Sequence, residues 1–378
     1  MTNDKKEYQV IIIGGGPSGI ATSLILTAKG ISNCVIEAQE QPTRKFGEAI
    51  PPNAKPLLKK MGIMHLIENP KHIAYYGNKS CWGSDLLEQK EFLNGIYGHG
   101  YLLDRLYFEK QLRKHLKSNS GILLEGYRLK KILNTKKGIE ASIQKGNNNT
   151  ILRSSYIVDA TGRKASVCHK LGVVKKNMDT QFAISFKANL IEPIEHQINV
   201  EATKNGWWYM APQHNNELTI MFFTLQELLP EKKLLIPFIR KEMEASLHIS
   251  KLTKIAKIDF ENINVIPSGT SRLDIPYGDN WIAVGDAAFS YDPISSYGIT
   301  SALASGFYAG HALASQLSNK KDAMLTYRFI IEKAFQAYME KLSSHYTEEN
   351  RWKDEPYWKN RFLKKKDRDS VLINFALE

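Results

Sequence analysis

YQVIIIGGGPSGIATSLILTAKGISNCVIE, residues 8–37, is the stretch on which the fold turns. Tyr8 to Ile13, β-branched from Val10 on, reads as a strand, Gly14 to Gly19 reads as a turn, and Ile20 to Lys29 reads as an apolar helix ending at Gly30. Cys34 to Glu37 then reads as a second strand with an acid at its end. Strand, glycine turn, helix and strand make a βαβ unit, and Glu37 follows Gly19 by eighteen residues, the spacing of a dinucleotide fingerprint. Gly14 permits the tight turn. Gly16, with Pro17 and Ser18 beside it, lets a pyrophosphate approach backbone N–H groups at the positive end of the helix, and Gly19 lets helix and strand pack closely. Glu37, followed by Ala38, is placed to accept from ribose hydroxyls.

The rest of the composition is that of an ordinary soluble protein. With 378 residues, 43% hydrophobic and 24% charged, the chain can bury a large core in one or two domains. Its charged start leads into IIIGGG, too short and too quickly broken for a signal or membrane segment, so a cytoplasmic location without membrane insertion is expected. Three cysteines with no CxxC and no Cys/His ligand spacing predict reduced thiols and no metal site. The net charge of +12 is lysine-dominated and spread along the chain, which argues against nucleic acid. Its densest stretch is NRWKDEPYWKNRFLKKKDRDS, residues 350–370, where Trp352, Trp358 and Phe362 interleave with basic residues. This reads as a solvated terminal helix whose aromatics dock on the body, with a surface for an acidic or peptide partner as the alternative.

Residues 121–160 alternate short strand-like runs with turns and return to the first sheet at Ile157 to Asp159. Residues 179–265 are mostly antiparallel strand, with one helical stretch at 231–247. The chain comes back through Trp281 to Val284, a buried strand, into a helix from Gly298 to Leu317 and an amphipathic helix from Asp322 to Tyr346. Two strand-end turns stand out, VDATGR at 158–163 and VGDAA at 284–288. The second sets Asp286 where a carboxylate can take a chain of sugar-like hydroxyls; the fingerprint alone allows NAD or FAD.

GxGxxG, a central DATG and a late GDAA followed by DPxxSxG resemble the flavoproteins related to p-hydroxybenzoate hydroxylase. The resemblance implies an α/β fold: a glutathione-reductase-type FAD-binding Rossmann domain with an inserted antiparallel β-sheet substrate domain and C-terminal helices. It implies a discontinuous FAD-binding domain of residues 1–75, 97–178 and 266–318, a substrate domain of 76–96 and 179–265, and a helical segment of 319–378. Within that superfamily RKFGEAIPPNAKPLLKKMGI (44–63), DPISSYG (292–298) and WWYMAP (207–212) are similar to the tryptophan halogenases. The GEAIPP form, SCWGS (80–84) and GYLLDRLYFEKQL (100–112) are more similar to flavoproteins that assist quinone-cofactor formation in bacterial amine and amino-acid oxidases.

The resemblance assigns roles. Asp286 would bind the flavin ribityl chain, Arg44, Glu48 and Ala49 would contact the FAD phosphates and flavin, and Arg105 would be a second FAD contact. Pro293 would border the reactive edge of the ring, and Gly298 and Ile299 would offer backbone N–H groups to its pyrimidine end. The halogenase motif WxWxIP is altered here: the second Trp is Tyr209 and the Ile is Ala211. Lys79 is the candidate for the halogenase lysine. The reading is therefore aromatic hydroxylation of a phenol or indole through a flavin C(4a)-hydroperoxide, with O2 as co-substrate and electrons from NAD(P)H or a separate flavin reductase. The substrate is an aromatic small molecule or a Trp or Tyr side chain of a peptide or protein. Trp208, Tyr209 and Tyr297 are candidates to stack on it, and His99, then His214 and Asp292, are candidate bases. The alternatives are a flavin-dependent halogenase, a geranylgeranyl-reductase-like flavin reductase and a non-catalytic flavoprotein chaperone.

Overall fold

The computed structural model describes residues 6–92, 95–136, 138–320, 322–359 and 361; Phe362 and the basic run after it lie outside the described residues. The elements that position the site are, in chain order, β1 (Lys6–Ile13), α1 (Pro17–Ala28), β2 (Asn33–Glu37), β3 (Gly77–Cys81), α2 (Arg105–Ser118), β4 (Ile122–Glu125) and β5 (Asn148–Asp159). There follow β6 (Gln181–Leu190), β7 (Gln197–Thr203), β8 (Gly206–Pro212), β9 (Glu217–Leu225), β10 (Ala256–Pro267), β11 (Trp281–Ala283), α3 (Gly298–Leu317) and α4 (Ala323–Glu348). The helix after the glycine turn starts at Pro17, three residues before the apolar run suggests, because the fixed φ of proline suits a first helical turn that needs no N–H.

A parallel sheet runs in the order β11-β5-β1-β2-β4. Ile13 pairs with Asp159, and Asp159 with Ala283, so three strands end at one edge of the sheet. The first half of β5 instead carries an antiparallel extension formed by Arg128–Thr135 and Gly138–Lys145. Val10–Ile13 of β1 and Cys34–Ile36 of β2 are buried on both faces and continuously apolar, as the centre of a parallel sheet requires.

The second sheet is largely antiparallel, in the order β10-β6-β9-β8-β7-β3, with Glu88–Glu91 beyond β3. Its central strands are buried on both faces, and the two-residue period sorts their side chains. Trp207, Tyr209 and Ala211 of β8, with Met221 and Phe223 of β9, point toward the parallel sheet and join the main core. Trp208, Met210, Ile220 and Phe222 point the other way and pack against Leu235, Ile239 and Met243 of the helix Leu235–Glu244.

α4 and the turn after it close the structure. Trp358 is fully buried and donates its indole N–H to the Thr203 carbonyl at 2.9 Å, while the Trp82 indole donates to the His345 carbonyl at 2.8 Å. Among the described residues no helix is long and apolar enough to cross a membrane, and no cluster of His, Cys, Asp and Glu could hold a metal ion. The three cysteines are free and buried, and burial pushes the Cys34 thiol up to about 12.

Candidate functional site

A cleft of about 700 Å³ opens at the carboxyl ends of β1, β5 and β11 and faces the inner side of the antiparallel sheet. Ligands of parallel α/β sheets bind at this edge, since the loops there are free to vary while the strands are fixed. Gly14, Gly16, Pro17 and Ser18 line one end, with Glu37 and Ala38 at the tip of β2. Glu48, Ala49 and Arg105 line a second wall, and Asp286, Pro293, Gly298 and Ile299 a third. The antiparallel sheet contributes Ala183, Tyr209, Met221 and Phe223.

The glycine turn is built by sterics. Gly14 sits at φ +114°, and a Cβ there would lie 2.2 Å from the Ala160 carbonyl oxygen; one on Gly19 would lie 1.9 Å from the Gly14 oxygen. Gly19 therefore does not line the cleft but presses α1 onto the turn. Gly16 faces open space. It caps α1 without any side-chain hydrogen bond, and the first turn carries no acid, so the orphan N–H groups of the helix start are left for an anionic ligand. Glu37 braces the same turn, accepting from Gly15 N at 2.7 Å and Gln39 N at 2.8 Å.

On the second wall Arg105 bonds the Gly47 carbonyl at 2.5 Å and the Glu109 carboxylate at 2.7 Å, yet its Nε is buried with no partner among the described residues. Burial alone would raise the Glu109 carboxyl, but Arg105 and Lys45 beside it hold it below the ordinary range. Glu48 has the opposite fate. It is 4% exposed, and desolvation outweighs the attraction of Arg105 and pushes its carboxyl up to about 7. Oε1 accepts from the Thr219 hydroxyl at 3.3 Å, while Oε2 has no partner.

Asp286 stands half-exposed at the end of β11, 3.7 Å from Arg163 Nε. Arg163 also donates to the carbonyls of Gly269 and of Tyr291, the latter at 2.9 Å, tying the DATGR turn to the segment before Pro293. Lys175 reaches the Asp286 carbonyl and the Ser290 hydroxyl, and burial lowers its pKa to about 8 against the pull of Asp286. Neither residue is singled out by the sequence reading. The Arg of DATGR carried a signal; Lys175, on a short strand among many lysines, carried none. Asp159 is fully buried and spends both oxygens on Thr161, Val167 and Cys168, so it fixes the turn and binds no ligand.

Several candidates fall elsewhere. Arg44 is exposed and pairs with Glu217 at 3.4 Å. Lys79 lies on β3 and pairs with Glu195 at 2.7 Å, outside the cleft. His99 stands in a loop between the rings of Tyr76 and Tyr101, with burial lowering its pKa. His214 is exposed in the β8–β9 hairpin turn, and Tyr297 is 39% exposed and accepts from Asn53 Nδ2. Trp208 is on the far face of the sheet because its neighbour Tyr209 faces inward. Asp292 does line the cleft, fully buried, and burial raises its pKa despite Arg361 nearby.

The donor set fits FAD: an uncapped helix start, an unpartnered Arg105 Nε and a half-exposed Asp286 in one cleft. Comparison with known proteins agrees. The model of the FAD binding domain family matches residues 7–340. The protein named as the FAD-dependent oxidoreductase LodB in Marinomonas mediterranea is 26% identical over 361 residues, covering 94% of this chain and 97% of that one. Among solved structures, the myxobacterial chondrochloren halogenase CndH superposes with a TM-score of 0.86 at 16% identity, covering 98% of this chain and 90% of its own. QhpG, a peptidyl tryptophan dihydroxylase essential for tryptophylquinone cofactor biogenesis, gives 0.76 at 21% identity, covering 94% and 78%. At such identities the two structures speak for the fold alone. With the family model spanning nearly all of both sheets and the cleft between them, the chain belongs to the FAD binding domain family and is a flavin-dependent oxidoreductase of the monooxygenase and halogenase group.

Proposed function

We propose that this protein is an FAD-dependent monooxygenase that hydroxylates an electron-rich aromatic ring, a phenol or an indole. The observation that carries the reading is the composition of the sheet face across the cleft. Tyr209 stands where halogenases have the second Trp of their motif, next to Met221 and Phe223, and Lys79 is paired with Glu195 outside the cleft. Bound in the cleft, FAD supplies the electron transfer and oxygen activation. The uncapped start of α1 and Arg105 would hold its phosphates, Asp286 its ribityl hydroxyls, and the start of α3 at Gly298 and Ile299 the pyrimidine end of its ring. The apolar face of Ala183, Met221 and Phe223 excludes water and orients the substrate ring. Electrons come from NAD(P)H, directly or through a separate flavin reductase. The likeness to QhpG and the quinone-cofactor motifs supports a Trp or Tyr side chain in a peptide as substrate.

The likeness to CndH keeps halogenation as the second reading. One experiment separates them: the FAD-loaded protein is reduced without oxygen, then mixed with O2 and a panel of phenols, indoles and Trp- and Tyr-containing peptides, with and without chloride or bromide. The monooxygenase gives hydroxylated product at a rate independent of halide. Halogenated product, or absence of any oxygen consumption, overturns it.

A further inference from the structure

Besides Arg105 Nε, three buried polar atoms of residues lining the cleft have no partner among the described residues: Glu48 Oε2, the Tyr209 hydroxyl and Ser268 Oγ. Glu48 is 4% exposed and Tyr209 6% exposed, and both line the cleft. They are neighbours in a shared electrostatic environment, since the Glu48 charge helps to raise the Tyr209 hydroxyl after burial, its larger cause. Unpaired polar atoms inside a protein are costly and are kept where a ligand satisfies them. Met221, paired to Tyr209 across β8 and β9, and Phe223 add apolar surface beside them.

We propose that Glu48 and Tyr209 form the polar end of the substrate compartment, where Glu48 accepts the hydrogen bond of a ring O–H or N–H and, from a phenol, then takes the proton. This rests on the monooxygenase reading and names the group that makes the ring electron-rich. In the transfer the heteroatom–hydrogen bond of the substrate breaks and its electron pair stays on the ring, while the proton forms an O–H bond with Oε2. The carboxylate becomes a neutral acid and the ring an anion. The proton returns to the heteroatom on the product, so Glu48 ends as it began.

The surroundings suit this exchange. Arg105 from α2 favours the ionised carboxylate, the Thr219 hydroxyl from β9 bonds its other oxygen, and Tyr209 from β8 and Tyr75 are neutral at physiological pH. With the carboxyl near 7, both of its forms are populated there. The apolar walls favour a planar ring and leave one donor position to read, which makes an alkylbenzene a poor ligand.

The test uses phenol, indole and toluene as probes, titrated into the oxidised FAD-loaded protein and followed by the change in flavin absorption. Phenol and indole bind, more tightly as the pH rises through about 7, where the carboxylate is the acceptor. The substitution Glu48→Gln weakens them by about tenfold and removes the pH dependence. Tyr209→Phe weakens them less, and toluene shows no preference between wild type and either variant. If Glu48→Gln loses FAD, the Tyr209→Phe protein and the wild-type pH dependence decide. Failure of phenol and indole to bind, pH-independent binding, or an equal loss for toluene overturns the assignment. Failure of the monooxygenase reading looks different: the probes bind as described, yet the reduced protein consumes no oxygen in their presence.

Discussion

The Arg361 guanidinium lies 3.6 Å from the Asp292 carboxylate with both side chains wholly out of solvent. Arg361 also holds Asp179 at 3.0 Å, and Tyr346 of α4 donates to Asp292 Oδ2 at 3.0 Å. The Asp292 N–H in turn donates to the Tyr338 hydroxyl at 2.6 Å. The residue before Pro293 is thus pinned from the end of the described chain. Replacing Arg361 by Met leaves two buried carboxylates facing each other without a cation. We expect a loss of about 3–5 kcal/mol, larger at about pH 8 than at about pH 5, where protonation relieves the pair. Urea unfolding at the two pH values measures it; equal small losses at both would contradict the pairing.

The glycine turn separates fold from cofactor. Gly14→Ala meets the Ala160 carbonyl and a left-handed backbone, so the apoprotein itself should lose about 1–3 kcal/mol. Gly16→Ala meets nothing in the protein, so its apoprotein should unfold like wild type, while FAD binds at least about tenfold more weakly because the methyl occupies the phosphate approach. Thermal unfolding without cofactor and flavin titration read the two effects apart.

Adjacent residues on β8 should behave oppositely. Trp208→Ala empties a fully buried site behind the sheet and should cost about 3–5 kcal/mol of stability. Tyr209→Phe should keep the stability within about 1 kcal/mol, since the lost hydroxyl has no partner, and change aromatic-probe binding instead. A Trp208 variant with native stability and altered ligand binding would place that side chain on the wrong face.

Lys79→Ala removes one solvent-facing ion pair to Glu195 and nothing in the cleft. It should cost under about 1 kcal/mol and leave oxygen consumption within about twofold. Loss of turnover with FAD still bound would return Lys79 to the chemistry and favour halogenation.

Glu48 makes the apoprotein pH-sensitive. The folded carboxyl keeps its proton up to about 7, whereas the unfolded chain releases it near 4.5, so between those values the native state binds the extra proton. Stability therefore falls as the pH rises through that window, by at most on the order of 3 kcal/mol, and is flat above it. The Glu48→Gln apoprotein should show a flatter profile; an unchanged slope would put the titrating group elsewhere.

The glycine-turn end of the cleft was legible because its constraints are local. Gly14 and Gly19 must be glycine for steric reasons within a few residues, and Asp286 follows its strand directly. The substrate end was not, because it depends on which face of β8 turns inward. WWYMAP is buried along its whole length, so no alternation of polar and apolar residues marks Trp208 as outward and Tyr209 as inward. Arg163 and Lys175 reach Asp286 across more than a hundred positions, a meeting that only the closed sheet creates. Arg44 shows the reverse: a motif position whose side chain, here, turns to Glu217 at the surface.

The cleft takes its walls from Ile13 at one extreme of the sequence and Ala302 at the other, with Arg361 locking the Asp292 segment from further still. A chain emerging from the ribosome has the glycine turn early but lacks the cleft wall of Asp286, Gly298 and Ile299 until α3 has been made. Through the contacts proposed above, cofactor capture is expected late in biogenesis. Nascent chains stalled before residue 302 should remain colourless, and the yellow of the flavin should mark molecules whose synthesis has reached α3.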